Sequence, residues 1–236
     1  MNIFQHTDNI AIELSNDCNL KHIHKECPLF LEKDKPVITL DSKIIYYVLD
    51  TLKKYSYNKS LQFNSYNEPL VDDRLIEFIK YANKQCGIND IIMTTNGIYL
   101  NQQKLDELIE AGIKLIRITI YFHEIREKIK SLKSSIPLLY NSESIDGLDG
   151  RLEIYTRNDY YNFRSCSAPL GQIIIRKTGD IVLCCADWND TCLFGNLYKQ
   201  TLEEILTSEK VKTIYTNLKN NNHDILEICK RCPGGR

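Results

Sequence analysis

Cys166 leads a run that reads Gln172-Ile-Ile-Ile-Arg-Lys-Thr-Gly-Asp-Ile-Val-Leu-Cys184-Cys185, continues through Phe194-Gly-Asn-Leu197 and Thr201-Leu-Glu-Glu-Ile205, and ends on Cys229-Lys-Arg-Cys232-Pro233. Ile173 to Arg176 and Ile181 to Cys185 are β-branched segments flanking Lys177-Thr-Gly-Asp180. That pattern predicts a β-hairpin in which Gly179 supplies the positive φ. Two short helices are predicted after it, near 201–207 and 208–219. Cys166 precedes Gly179 by twelve intervening residues, and four more separate Gly179 from Cys184. Two thiols on or near the hairpin and two in a C-x2-C knuckle make a complete four-sulfur site. On ligand type alone it suits zinc or an iron–sulfur cluster.

The rest of the composition isolates those thiols as the chemical signal. The chain has 236 residues and nine cysteines, an odd number that argues against a disulfide framework where no secretion signal is present. Cys18 and Cys27 lie near the start, Cys86 stands alone, and six fall between Cys166 and Cys232. Thiols used only as small core residues would be spread more evenly. Lys and Arg total 30 against 31 Asp and Glu, with both signs interleaved, so no basic footprint for nucleic acid or an anionic membrane exists. No apolar run approaches a membrane span, which makes the cytoplasm the expected compartment.

Upstream, residues 10–157 alternate strand-like and helix-like periods. Ile10, Ile12 and Leu14 alternate with Ala11, Glu13 and Ser15. Asp41 or Ser42 can cap a helix with Ile44, Ile45, Val48, Leu49 and Leu52 on one face. Strands are predicted at 61–63, 91–95, 115–121 and 152–155, and helices at 75–82, 105–111 and 123–133, with Gly112 ending the second of these. Repeated βα units imply an α/β fold with a parallel sheet. Five units cannot close an eightfold barrel, so a partial barrel is expected over 1–160, followed by a small hairpin-plus-helix module over 161–236. Chemistry then belongs in the loops at the carboxyl ends of the strands, starting at Asn16, Asn64, Thr95 and Tyr121.

Those loops carry recognisable segments: Ser15-Asn-Asp-Cys18-Asn-Leu ending in Cys27-Pro28, Phe63-Asn-Ser-Tyr-Asn-Glu68-Pro69-Leu, and Thr94-Thr-Asn96-Gly97. In this order they resemble the radical S-adenosylmethionine (radical SAM) enzymes, and the C-terminal set resembles that family's SPASM or Twitch module. The resemblance implies two [4Fe–4S] clusters and bound SAM. Asn64, Ser65, Tyr66, Asn67 and Glu68 would lie near the SAM amino group, and Thr95 and Asn96 near the ribose. Cys166, Cys184, Cys229 and Cys232 would ligate the auxiliary cluster, with Cys185 and Cys192 as alternatives to Cys184; the Gly-x4-Cys spacing favours Cys184. The SAM-binding loop departs from the family's C-x3-C-x2-C, since it reads Cys18-Asn-Leu-Lys-His22-Ile-His24-Lys-Glu-Cys27. Imidazole can ligate cluster iron. His24 keeps the last interval and His22 the first, and the implied set is Cys18, His24 and Cys27.

The implied activity is hydrogen abstraction by a 5′-deoxyadenosyl radical, with dehydrogenation of a small alcohol or sugar-like substrate and an external electron donor. Two alternatives stand beside it. One is peptide modification, ranked lower because only about nine residues precede the first strand. The other is a non-catalytic metal-binding scaffold, which the two-cysteine loop would suit. Tyr121 and His123, at the end of the fourth strand, are the candidate catalytic side chains. Asp187 and Trp188 are candidate cavity residues, and Glu13 is a candidate barrel-interior polar group.

Overall fold

The first strand, β1 (Asn9–Ile12), turns Ile10 and Ile12 into the main core and Ala11 to the opposite face, against Ile174 and Val182. This is the period-two division of a strand with both faces covered. The structure is a computed structural model that describes residues 3–143, 145, 166 and 168–232. Helix α1 (Ser42–Lys54) is capped by Asp41, whose side chain accepts from the Lys43 amide at 2.8 Å. Its buried stripe is Ile45, Val48, Leu49 and Leu52, spaced three, four and seven residues from the first. Each such side chain contributes about 1.5–3 kcal/mol of burial.

The alternation continues through β2 (Ser60–Gln62), α2 (Leu75–Lys80), β3 (Ile91–Thr95), α3 (Gln102–Ala111), β4 (Ile113–Ile120), α4 (His123–Ser131) and β5 (Leu138–Ser142). A single π-helical stretch, Tyr81–Gln85, extends α2 to Cys86. All neighbouring pairs among these five strands are parallel. A strand that the sequence pattern did not announce stands beside β4. The expected segment at 152–155 lies outside the described residues, and the strand beside β4 is Leu138–Ser142. Leu139 and Tyr140 on it are about half exposed, so this edge strand lacks the apolar alternation that would have announced it.

The chain returns through α5 (Ala168–Gly171) into β6 (Gln172–Ile175), which pairs parallel with β1 from Asn9↔Gln172 to Ile12↔Ile175. The hairpin follows as predicted: β7 (Asp180–Val182) runs antiparallel to β6. Gly179 sits at φ +77°, where a Cβ would also lie 2.7 Å from the Tyr198 ring. β8 (Leu193–Asn196) adds a third antiparallel strand. Beyond it come α6 (Leu202–Leu206), with a Thr201/Glu204 capping box, then α7 (Glu209–Lys219) and α8 (Glu227–Arg231).

Among the described residues one eight-stranded sheet results, in the order β5-β4-β3-β2-β1-β6-β7-β8. Its six parallel strands form the partial barrel. The sheet runs straight across the expected boundary at 160/161, because β6 is a direct neighbour of β1. Among the described residues, no helix is long and apolar enough to cross a membrane.

Candidate functional site

Two sites emerge, on opposite sides of the hairpin end. The larger is a pocket of about 370 Å³ at the carboxyl ends of the parallel strands. Asn64, Ser65, Tyr66, Asn67, Glu68, Thr95 and Asn96 all line it, as do Cys18, His24, Cys27 and Tyr121. Glu68 organises this end of the fold. Its carboxylate is 3% exposed and accepts from Thr95 Oγ1 at 2.6 Å, the Asn96 amide at 2.8 Å and the Leu70 amide at 3.1 Å. Burial pushes its carboxyl above the usual range, with those three donors opposing. Its side chain is therefore committed to tying the β2 loop to the end of β3. Asn64 adds a second tie, accepting from the Thr94 amide at 3.2 Å.

The cluster loop is wound by consecutive turns. The Lys21 amide bonds to the Cys18 carbonyl, those of Ile23 and His24 to Leu20, and that of Cys27 to His24. These turns bring positions 18, 24 and 27 to the pocket. The His24 ring lies 4.9 Å from that of Tyr121. His22 is exposed and outside the lining. Cys18 Sγ accepts from the Leu20 amide at 3.4 Å, and burial pushes its thiol up to about 12. Asn96 Nδ2 approaches the same sulfur at 3.9 Å and bonds to Asn19 Oδ1 at 2.7 Å.

Several lining residues were not anticipated: Gln62, Arg117, Thr119, Gln172 and Glu143. Gln62 and Gln172 pair with or flank Ala11 and Asn9 in register, so strand periodicity alone could have found them. Three side-chain atoms around the pocket, Asn9 Oδ1, Asn67 Nδ2 and Gln172 Oε1, are buried with no partner among the described residues. Orphaned polar atoms of this kind mark a place for a polar ligand. His123 does not join them. It opens α4 after Phe122 and is exposed, outside the pocket lining.

The second site is a cavity lined by Cys166, Cys184, Cys229 and Cys232, with Pro169, Ala186, Ile228 and His223. The three hairpin thiols lie in different surroundings. Cys185 is exposed and lines the barrel pocket, whereas Cys192 is buried in the core, so only Cys184 faces the cavity. Burial pushes the Cys184 thiol well up, and pushes that of Cys229 to about 12 with its neighbours Cys166 and Cys232 adding to it. Such thiols stay neutral until a bound cation deprotonates them, which is what coordinated iron or zinc does. They line a cavity and do not converge on a point: among the described residues, no three His, Cys, Asp or Glu side chains sit closely enough to hold a single metal ion. Asp187 and Trp188 take no part in the barrel pocket. Asp187 is buried and braces the loop by accepting from the Thr191 and Cys192 amides at 2.9 and 2.8 Å. The Trp188 carbonyl accepts from Arg176.

Comparison with known proteins agrees with both halves of this geometry. Residues 166–233 match SPASM, described as an iron–sulfur cluster-binding domain. The S-adenosyl-L-methionine-dependent 2-deoxy-scyllo-inosamine dehydrogenase of Niallia circulans is 23% identical over 231 residues, covering 94% of this chain and 91% of the relative. The GTP 3′,8-cyclase of Clostridium perfringens is 33% identical over 118 residues, but that match spans only 34% of the cyclase. The crystal structure of BtrN in complex with AdoMet and 2-DOIA superposes with a TM-score of 0.83 at 22% identity, covering 97% of this chain and 93% of that one. Along nearly its whole length the chain is thus similar to an S-adenosyl-L-methionine-dependent dehydrogenase with the same fold, and its residues 166–233 carry the match to the SPASM iron–sulfur cluster-binding domain.

Proposed function

We propose that the chain dehydrogenates a small polyhydroxylated alcohol, using SAM and two iron–sulfur clusters. The observation that carries this reading is the pairing of one polar pocket with one four-thiol cavity, joined at Cys184-Cys185. When bound, SAM and its cluster supply a hydrogen-abstracting radical, and the auxiliary cluster supplies an electron acceptor. The residues do the rest. Cys18, His24 and Cys27 hold the first cluster at the pocket rim. Asn64 to Asn67, Thr95 and Asn96 offer backbone and amide groups to the polar end of SAM. Gln62, Arg117, Thr119 and Gln172 form a polar floor suited to hydroxyl groups, which an apolar pocket would not hold in one orientation.

Oxidising an alcohol removes one hydrogen atom, one electron and one proton, so a base is needed. Glu68 is spent on three donors. Glu143, which accepts from Asn141 Nδ2 among the described residues, is the carboxylate free to take that proton. The likeness to a 2-deoxy-scyllo-inosamine dehydrogenase supports an aminocyclitol or sugar as substrate. Anaerobic reconstitution should bring about eight irons per chain. With a strong reductant and 2-deoxy-scyllo-inosamine, 5′-deoxyadenosine and a ketone should then form in equal amounts. Stoichiometric zinc with little iron would overturn the reading, whereas 5′-deoxyadenosine without ketone would overturn the substrate class alone.

A further inference from the structure

His223 opens a 3-10 turn (His223–Ile225) between α7 and α8, and its ring lines the four-thiol cavity. It is 6% exposed, and its Nε2 is buried with no hydrogen-bond partner among the described residues. Leaving such a nitrogen unpaired costs about 1–3 kcal/mol, and native structures rarely tolerate it. The other side chains around the cavity, Pro169, Ala186 and Ile228, offer no acceptor. Among the described side chains that line the cavity, sulfur is the acceptor that remains. Four thiols already complete the ligand set of a [4Fe–4S] cluster, so the imidazole is in excess as a ligand but well placed as a donor.

We propose that the Nε2–H of His223 donates a hydrogen bond to a sulfur of the C-terminal cluster, a bridging sulfide or a cysteine thiolate, and thereby raises that cluster's reduction potential. A hydrogen bond to sulfur draws off electron density and favours the reduced state. The effect would ease transfer of an electron from the substrate radical left by hydrogen abstraction. This inference rests on the assignment of a cluster to Cys166, Cys184, Cys229 and Cys232.

The test uses full-length Cys18→Ala/Cys27→Ala protein, in which only the C-terminal cluster can assemble. This background should hold about four irons. If it holds none, the cluster assignment itself fails and the inference falls with it. His223→Leu and His223→Gln are then compared by iron and sulfide content and by a spectroscopic redox titration at fixed pH. His223→Leu should keep its iron and show a lower midpoint potential, while His223→Gln, which retains an N–H, should lie between it and the background. An unchanged midpoint in His223→Leu overturns the proposal, as does loss of iron from both variants. If only His223→Leu loses iron, retention in His223→Gln supports the donor.

Discussion

His22 and His24 are two residues apart, yet the turns of the loop treat them differently: one ring meets solvent, and the other packs against Tyr121 inside the pocket. His24→Ala should therefore lower iron at the first site and abolish 5′-deoxyadenosine formation, while His22→Ala should stay within about twofold of wild type, as expected of an exposed side chain away from the chemistry. His24→Cys is the informative change, because it restores a thiolate two residues before Cys27 without altering the loop. That cluster should assemble at least as well and titrate at a lower potential, since thiolate donates more charge than imidazole. Normal SAM cleavage by His24→Ala, together with its loss in His22→Ala, would reverse the assignment.

At the level of elements, Gly97 shows why the segment after β3 has to read Asn-Gly. It sits at φ +75°, and a Cβ there would lie 2.9 Å from Ile118 Cγ2 on β4 and 3.3 Å from Ile125 Cγ2 on α4. Gly97→Ala combines left-handed strain with overpacking and should cost about 1–3 kcal/mol, read as a lower midpoint in urea. It should also weaken SAM binding, because Asn96 adjoins the shifted residue; unchanged stability would remove the packing argument. Such glycine-bearing turns and the cysteine spacings were legible in the sequence because their physics is local. β5 was not, since an edge strand exposing Leu139 and Tyr140 carries no alternation. Nor was the pairing of Glu13 with Arg176, two residues 163 positions apart. Glu13 read only as an inward-pointing polar group, and nothing near it in the chain named its partner.

That pairing belongs to the scale of the whole molecule, where a buried charge network joins the barrel to the cluster hairpin. Arg176 Nη1 donates to Glu13 Oε1 at 3.1 Å, and Glu13 is fully buried. Arg176 Nε lies 3.0 Å from Asp190 Oδ1 without the alignment of a hydrogen bond, so that contact is Coulombic only. The guanidinium also stacks over Tyr66, whose hydroxyl donates to the Cys185 carbonyl. At the rim, Lys177 Nζ lies 3.0 Å from Glu32 Oε2. Burial raises the Glu32 carboxyl, but the Lys177 contact, with the Asn16 hydrogen bond and the Lys35 charge, outweighs it and holds the group below its ordinary value of 4.5. A carboxylate with a depressed folded value stabilises the protein above the ordinary value and loses that contribution as pH falls through the folded one. Glu32→Gln should accordingly lose less stability than wild type on acidification below 4.5, and parallel melting curves would show the contact to be idle. The stronger test is Arg176→Met. It leaves a buried carboxylate with the more distant Lys177 Nζ, at 4.0 Å, and the amides of Lys177 and Tyr66, but without its guanidinium partner. Breaking a buried pair on one side costs about 3–5 kcal/mol, whereas removing both charges costs much less. Glu13→Gln/Arg176→Met should recover part of the loss, measured as a double-mutant cycle in denaturant. A cycle with no coupling would mean that sheet pairing between β1 and β6 alone holds the two cluster sites in register.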